Sequence, residues 1–85
     1  MPKSPGLDLP HASARELLAV NLVVLRRERG WSQEDLAAEA GLHRTFVAHV
    51  EGQNRNISLD NVEKLSAALG VRVHELLLPR SSLND

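Results

Sequence analysis

The sequence lacks several features that stabilise or localise small proteins. Its 85 residues contain no cysteine, so neither a disulfide nor a cysteine-ligated metal can hold the fold together. Aromatic residues are limited to one tryptophan and one phenylalanine. No apolar run approaches the roughly 20 residues that span a bilayer, and residues 1–10 do not resemble a signal peptide. We therefore expect a cytoplasmic protein with no membrane partner.

The chain also lacks a large excess of either positive or negative charge. Lysine and arginine total 10 and aspartate and glutamate total 11, for a formal net charge of −1. This balance argues against a chain that coats nucleic acid through bulk positive charge, but not against binding through one local surface. Apolar residues make up 42% of the chain, mainly as leucine, valine and alanine, which suits a small core of packed helices.

The four histidines do not form a metal-binding pattern. His43 and His49 are six positions apart and do not share a helix face, while His11 and His74 are isolated. No His-Glu-x-x-His spacing, nucleophile–base pattern or glycine-rich phosphate loop occurs. We therefore expect no metal, no cofactor and no enzymatic activity.

Start and stop signals predict five helices and no strand. Residues 1–10 contain three prolines and are predicted to form a flexible arm. Ser13 and Glu16 have the spacing of a capping box, which predicts a first helix running to residue 29. The other predicted helices cover residues 33–40, 44–51, 59–69 and 73–78. The folded domain is predicted over residues 11–79, with a tail at 80–85.

The second and third predicted helices, QEDLAAEA and GLHRTFVAHVE, have the pattern of a helix-turn-helix. Two steeply crossing helices need a small residue where they touch, and Ala37 supplies it. The turn needs a residue that tolerates positive φ, which is Gly41. Leu42, Val47 and Val50 are spaced to face inward.

Residues 22–77 resemble the lambda-repressor-like, Xre-type family of bacterial and phage DNA-binding domains. The resemblance is carried by LVVLRRERGWSQEDLAAEAGLHRTFVAHVE and ISLDNVEKLSAALGV. Within the family, RTFVAHVEGQNRNIS is most similar to the controller proteins of restriction–modification systems. The resemblance implies an all-α, five-helix lambda-repressor-like domain, usually a symmetric dimer, whose third helix enters the major groove of DNA.

The outward face of the third helix is the predicted base-reading surface. Its outward positions are spaced i, i+3, i+4 and i+7, and two of them, Ala48 and Gly52, keep the face shallow. Arg44 stands at the N-terminal end, where a guanidinium can reach guanine O6 and N7. The predicted base contacts are Arg44, Thr45, Ala48 and His49. From residue type alone, Arg44 and His49 could equally be solvated.

The resemblance also implies phosphate contacts and one ion pair. The predicted phosphate contacts are Gln33, His43, Gln53, Asn54, Arg55 and Asn56. Gln33 matches a family glutamine that commonly bonds a phosphate at the start of the second helix. Arg26 and Glu51 match a structural, partly buried ion pair.

The chain departs from the family pattern at three places. His43 stands where a small polar N-cap is usual, so the third helix is expected to start irregularly. Gly52 replaces an arginine common in relatives, which removes one DNA contact. Phe46 replaces a tyrosine common in controller proteins.

Apolar residues near the C-terminus exceed what one short helix can bury. The predicted dimer interface is Val71, Val73, Leu76, Leu77 and Leu78. The family commonly dimerises through its fourth and fifth helices; the alternative is that these side chains pack under the C-terminal tail.

The sequence therefore predicts a dimeric, sequence-specific transcriptional regulator on a near-palindromic, double-stranded DNA operator. Autoregulation of the controller type is the favoured biology. An antitoxin-like protein-interaction module with secondary DNA binding and a phage-type repressor stay open as alternatives. The acidic second helix, with Glu34, Asp35 and Glu39, would suit RNA polymerase as a partner, although helix capping explains the same charges.

Overall fold

The computed structural model describes residues 12–54 and 56–80, which form four α-helices and one 3-10 helix. The α-helices are α1 (Ala14–Glu28), α2 (Gln33–Ala40), α3 (Arg44–Glu51) and α4 (Leu59–Leu69), and the 3-10 helix is Val73–Leu77. No strand occurs within these ranges, and the all-α prediction is confirmed. The predicted arm at 1–10, Arg55 and residues 81–85 of the predicted tail lie outside the described residues.

Serine side chains start three of the helices. Ser13 Oγ accepts a hydrogen bond from the Glu16 N–H at 3.1 Å, and Ser32 Oγ accepts one from the Asp35 N–H at 3.0 Å. Both carboxylates reach back to the N–H of their serine, which completes the two capping boxes. Ser58 caps α4 through a single bond. These interactions define where the helices begin, and each N-cap stabilises the folded protein by about 1 kcal/mol.

The fifth predicted helix is shorter and tighter than expected. It is a 3-10 helix over Val73–Leu77, not an α-helix to residue 78. Leu78 has an extended backbone, with φ −74° and ψ 139°, because the ring of Pro79 disfavours helical geometry at the residue before it. The six residues between an extended Arg72 and this proline are too few for a stable α-helix.

The core lies where all five elements meet. Its fully buried members come from every element and include Leu22, Leu36, Val47, Leu65 and Leu76. Each such side chain contributes on the order of 2 kcal/mol relative to exposure. The prediction that Leu76 lies in a dimer interface is wrong. Its exposed surface is 0%, so it belongs to the core of the monomer and cannot contact a second copy.

Candidate nucleic-acid interface

Helix α3 divides cleanly into an inner and an outer face. Val47 and Val50 are buried and fix the helix to the core. Arg44 and Thr45 are exposed, whereas Ala48 and His49 are half-buried. At 100° per residue these four side chains spread around the side opposite the core, as predicted for a recognition helix. The outer surface is shallow because its middle is alanine.

The turn between α2 and α3 has the geometry that its residues predict. Gly41 has φ +72°, in the left-handed region, and ends α2. The Leu42 N–H donates to the Ala37 carbonyl at 2.8 Å, which closes the turn over the end of α2. The tight turn brings the start of α3 close to α2.

His43 acts as the N-cap of α3. Its Nδ1 accepts a hydrogen bond from the Thr45 N–H at 3.1 Å, which is the task a small polar residue commonly performs. The expectation of an irregular start is wrong: α3 begins at Arg44 as a regular α-helix. The cap uses one ring nitrogen, so any phosphate contact by His43 would fall to Nε2.

Three side chains from three helices meet beneath the start of α2. Arg26 donates from Nε to Glu51 Oε2 at 2.7 Å and from Nη2 to Glu51 Oε1 at 2.9 Å. The pair is largely buried, with side-chain exposures of 11% and 6%. The hydrogen bonds that Arg26 donates to Glu51 raise the pKa of Arg26, against an opposing effect of burial. The ion pair implied by the resemblance is therefore present.

Gln33 is the third member of this cluster. Its Nε2 donates to Glu51 Oε1 at 2.8 Å. An amide nitrogen has two hydrogens, so one remains for another acceptor. Glu51 thus orients Gln33 at the N-terminus of α2, where free backbone N–H groups favour an anion.

The C-terminal end of α3 is followed by a residue with a left-handed backbone conformation. Gln53 has φ +62°, and the Asn54 N–H donates to the His49 carbonyl at 2.8 Å. These are the features of a Schellman motif, which most often places glycine where Gln53 stands. The chain accepts this conformation at a non-glycine residue, at a cost of about 1 kcal/mol.

Gly52 supplies space rather than backbone freedom, because its φ is an ordinary −85°. A Cβ atom at this position would lie 2.9 Å from Asn54 Nδ2. The Asn54 amide thus occupies the volume that a side chain at position 52 would take. The sequence indicated a missing arginine at this position but gave no signal that Asn54 fills part of the gap.

Asn56 contacts the start of α1, since its Oδ1 accepts a hydrogen bond from Arg15 Nη2. Sequence reasoning missed Arg15, because nothing local links the start of α1 to a loop 41 residues away. The predicted phosphate contacts therefore fall into two groups. Gln33 and His43 lie at the starts of α2 and α3, and Gln53, Asn54 and Asn56 follow the end of α3.

An apolar groove of about 350 Å³ lies between α1, the start of α4 and the 3-10 helix. Its apolar lining includes Leu18, Ile57, Leu59, Val62, Val73 and Leu77. Leu59, on the first turn of α4, is 76% exposed, unlike the buried Val62, Leu65 and Leu69 of the same helix. Of the predicted dimer residues, Val73 and Leu77 line this groove, Leu78 is 48% exposed and Val71 is half-buried.

No helix within the described ranges has the length and apolar character needed to cross a membrane. No group of three or more potential metal ligands occurs among the same residues.

Comparison with known proteins decides the family. The family model described as helix-turn-helix matches residues 24–76. Control protein C.SmaI from Serratia marcescens is 36% identical over 81 residues, which cover 95% of this chain and 96% of that protein. The chain belongs to the helix-turn-helix family of DNA-binding transcription regulators. The predicted lambda-repressor-like family and its controller branch are confirmed by these matches.

Other members of this helix-turn-helix family are also similar to this chain in sequence and in fold. The Neisseria hypothetical transcription factor of Neisseria meningitidis serogroup B is 52% identical over 65 residues, which cover 76% of this chain but only 61% of that protein. The crystal structure of this factor superposes with a TM-score of 0.78 at 47% identity, covering 87% of this chain and 91% of that one. The restriction–modification controller protein C.AhdI from Aeromonas hydrophila superposes with a TM-score of 0.68 at 43% identity, covering 71% and 91%.

Proposed function

We propose that this helix-turn-helix protein is a homodimeric, sequence-specific transcriptional regulator that reads a near-palindromic DNA operator with one α3 helix per half-site. The observation that carries the proposal is the form of α3. Its inner face is fixed by Val47 and Val50, and its outer face is shallow and carries Arg44 and Thr45 at the N-terminal end. A helix with such a face fits a major groove about 12 Å wide, and its N-terminal residues are those that meet base edges.

Arg44 is the principal base-reading residue of this proposal. It is exposed, and no hydrogen bond or ion pair engages its side chain within residues 12–54 and 56–80. A guanidinium in this state is available for the two parallel bonds that guanine O6 and N7 accept. Thr45 and Ala48 would contact thymine methyl groups beside it, and His49 would complete the surface.

Phosphate contacts would hold the helix in register at both ends. Gln33 is the best-supported of these, since Glu51 orients its amide at the N-terminus of α2. Its second amide hydrogen and the free N–H groups of the first turn would bind one phosphate. Gln53 and Asn54 would bind another beyond the end of α3.

The apolar groove is the proposed dimer interface. A 76% exposed leucine beside an open apolar groove is a feature that a second copy of the chain would bury. Leu59, Val73 and Leu77 would meet their counterparts across a two-fold axis. A two-fold dimer explains why the operator would be an inverted repeat.

Selection of binding sites from a random duplex pool tests this function. The expected product is an inverted repeat that binds much more tightly than a scrambled duplex, with an affinity that falls as salt rises. Because the net charge is −1, binding to the scrambled duplex should be weak. If no sequence is enriched at any salt concentration, the proposed function is wrong.

Controller-type autoregulation is the biological role we favour, because controller proteins are among the relatives. The protein would act in the cytoplasm, on the DNA upstream of its own gene. RNA polymerase is the candidate partner for the acidic side chains of α2. A reporter fused to that upstream DNA should respond to the protein, and binding only to another protein would instead favour an antitoxin-like module.

A further inference from the structure

One ring nitrogen of His49 is in an unusual position. Its Nδ1 is buried and has no hydrogen-bond partner, and it is the one side-chain nitrogen or oxygen in this state within the described ranges. The residue as a whole is only half-buried, so other atoms of His49 reach the surface. Because Nδ1 is enclosed and His49 stands on the outer face of α3, Nε2 at the tip of the ring is the nitrogen left for a contact with DNA.

This asymmetry selects one tautomer of the neutral ring. A neutral imidazole carries one N–H donor and one acceptor nitrogen. A proton on Nδ1 would create a buried donor without an acceptor, whereas a proton on Nε2 leaves the donor where water or DNA can accept its hydrogen bond. The proton therefore resides on Nε2, and the ring offers a donor to the outside.

The backbone of His49 is tied to the loop that follows α3. Its carbonyl accepts the hydrogen bond from the Asn54 N–H at 2.8 Å. The neighbour Ala48 has no polar side-chain atom, so His49 Nε2 is the only side-chain donor supplied by these two positions of the outer face. A single donor on a shallow face can discriminate between bases.

We propose that His49 reads DNA as an obligate hydrogen-bond donor through Nε2–H, and so requires an acceptor on the base it meets. The acceptors of the major groove are purine N7, guanine O6 and thymine O4. The amino groups of cytosine and adenine are donors, and a base that presents only its amino group at this point would be rejected. This inference rests on the proposed DNA-binding function and adds the chemical class of base that His49 accepts.

Substitutions separate this role from simple surface packing. His49→Gln places an amide near the position of Nε2, but an amide offers both a donor and an acceptor, so contact should survive while discrimination is relaxed. His49→Asn is too short to reach that position. His74→Asn, at an exposed histidine of the 3-10 helix, is the matched control.

The first experiment needs no DNA. Nitrogen-15 NMR of the free protein at about pH 8, where an ordinary imidazole is neutral, reports which ring nitrogen carries the proton. We expect the His49 signals of an Nε2–H tautomer, and His74, which is exposed, should show no comparable restriction. A proton on Nδ1 of His49 would overturn the inference whatever the DNA result.

The second experiment repeats the site selection with wild type and the three variants. We expect His49→Asn to bind the wild-type site about tenfold more weakly, and His49→Gln to accept more bases at one position of each half-site. His74→Asn should match wild type. If wild type selects a site but both His49 variants retain its affinity and base profile, this inference fails and the proposed function stands. If wild type selects no site, both fail.

Discussion

At the scale of single residues, Glu51 joins the three helices beneath the proposed DNA surface. It ends α3, accepts two hydrogen bonds from Arg26 in α1 and accepts one from Gln33 in α2. A buried carboxylate is tolerated only because these donors compensate for its lost hydration. The residue that stabilises the meeting of three helices is thus also the residue that orients a proposed phosphate contact.

Arg26→Met should lower the free energy of unfolding by about 3 kcal/mol, because it leaves the Glu51 carboxylate buried without its cation. Urea denaturation measures the loss. The double variant Arg26→Met, Glu51→Leu removes both charges and should recover much of the stability. A single variant within 1 kcal/mol of wild type would contradict this account of the pair.

The pH dependence of the Arg26 contribution follows from the direction of its shift. The pKa of Arg26 is raised in the folded protein, so its stabilising effect is fully present below the unfolded-state pKa and is lost only as pH rises through the raised value. That window lies in strongly alkaline solution. The difference in unfolding free energy between wild type and Arg26→Met, measured across the neutral range, should therefore show no loss attributable to Arg26 deprotonation.

Gln53→Gly should raise the free energy of unfolding by about 0.5–1 kcal/mol, since glycine adopts the positive φ at this position without a Cβ clash. Gln53→Ala is the control, because it keeps the strain and removes the amide. If Gln53 contacts phosphate, both variants should bind DNA more weakly. A destabilised Gln53→Gly protein would show that the left-handed residue is not strained.

At the scale of elements, the helix ends were predictable because their signals are local. Ser32 and Asp35, and the glycines at 41 and 70, lie within a few residues of the ends that they define. The 3-10 geometry of the fifth helix was not predictable in this way, because it depends on Pro79 and also on a hydrogen-bond partner 55 residues away. That partner is Asn21, a buried polar residue in α1.

Asn21 attaches the 3-10 helix to α1. Its Nδ2 donates to the Leu76 carbonyl at 2.7 Å and to the Leu78 carbonyl at 3.0 Å, and its Oδ1 accepts from Arg80 Nε. Helical periodicity gave no sign of this role, because an asparagine among valines and leucines has the spacing of either a buried or an exposed residue.

Asn21→Asp should release the 3-10 helix, because a carboxylate has no hydrogen to donate and would face two carbonyl oxygens. We expect faster hydrogen exchange at the backbone amides of residues 75–77 and a loss of about 2 kcal/mol in the free energy of unfolding. Asn61→Asp, in the half-buried first turn of α4, is the control. Unchanged exchange at residues 75–77 would show that Asn21 does not hold this element.

At the scale of the whole molecule, the sequence predicted which helix would face DNA but not how its neighbours support it. Periodicity identified the outer face of α3 because Val47 and Val50 fix its orientation. The Glu51–Gln33 bond and the Arg15–Asn56 contact join residues far apart in the chain, and single-sequence patterns carry no signal for such pairs. Leu59 has the same helical spacing as the core leucines but lies on the first turn of α4, beyond the core.

The groove should also set the oligomeric state. Leu59→Glu should convert the proposed dimer to a monomer at micromolar concentration, because it places a charge in an apolar interface. Sedimentation measures the mass. Ala67→Glu introduces the same charge at an exposed position of the same helix and should leave the dimer intact. A Leu59→Glu protein that is still dimeric would place the interface elsewhere.

The most direct test of the account compares wild type with Arg44→Ala on one selected duplex and on its scrambled counterpart. We predict that Arg44→Ala weakens binding to the selected duplex by about tenfold or more, as expected for the loss of a bidentate contact to guanine. Binding to the scrambled duplex and the free energy of unfolding should stay near wild type, and Arg72→Ala, at another exposed arginine, should behave as wild type. Affinity of Arg44→Ala for the selected duplex within about twofold of wild type would contradict the assignment of α3 as the recognition helix.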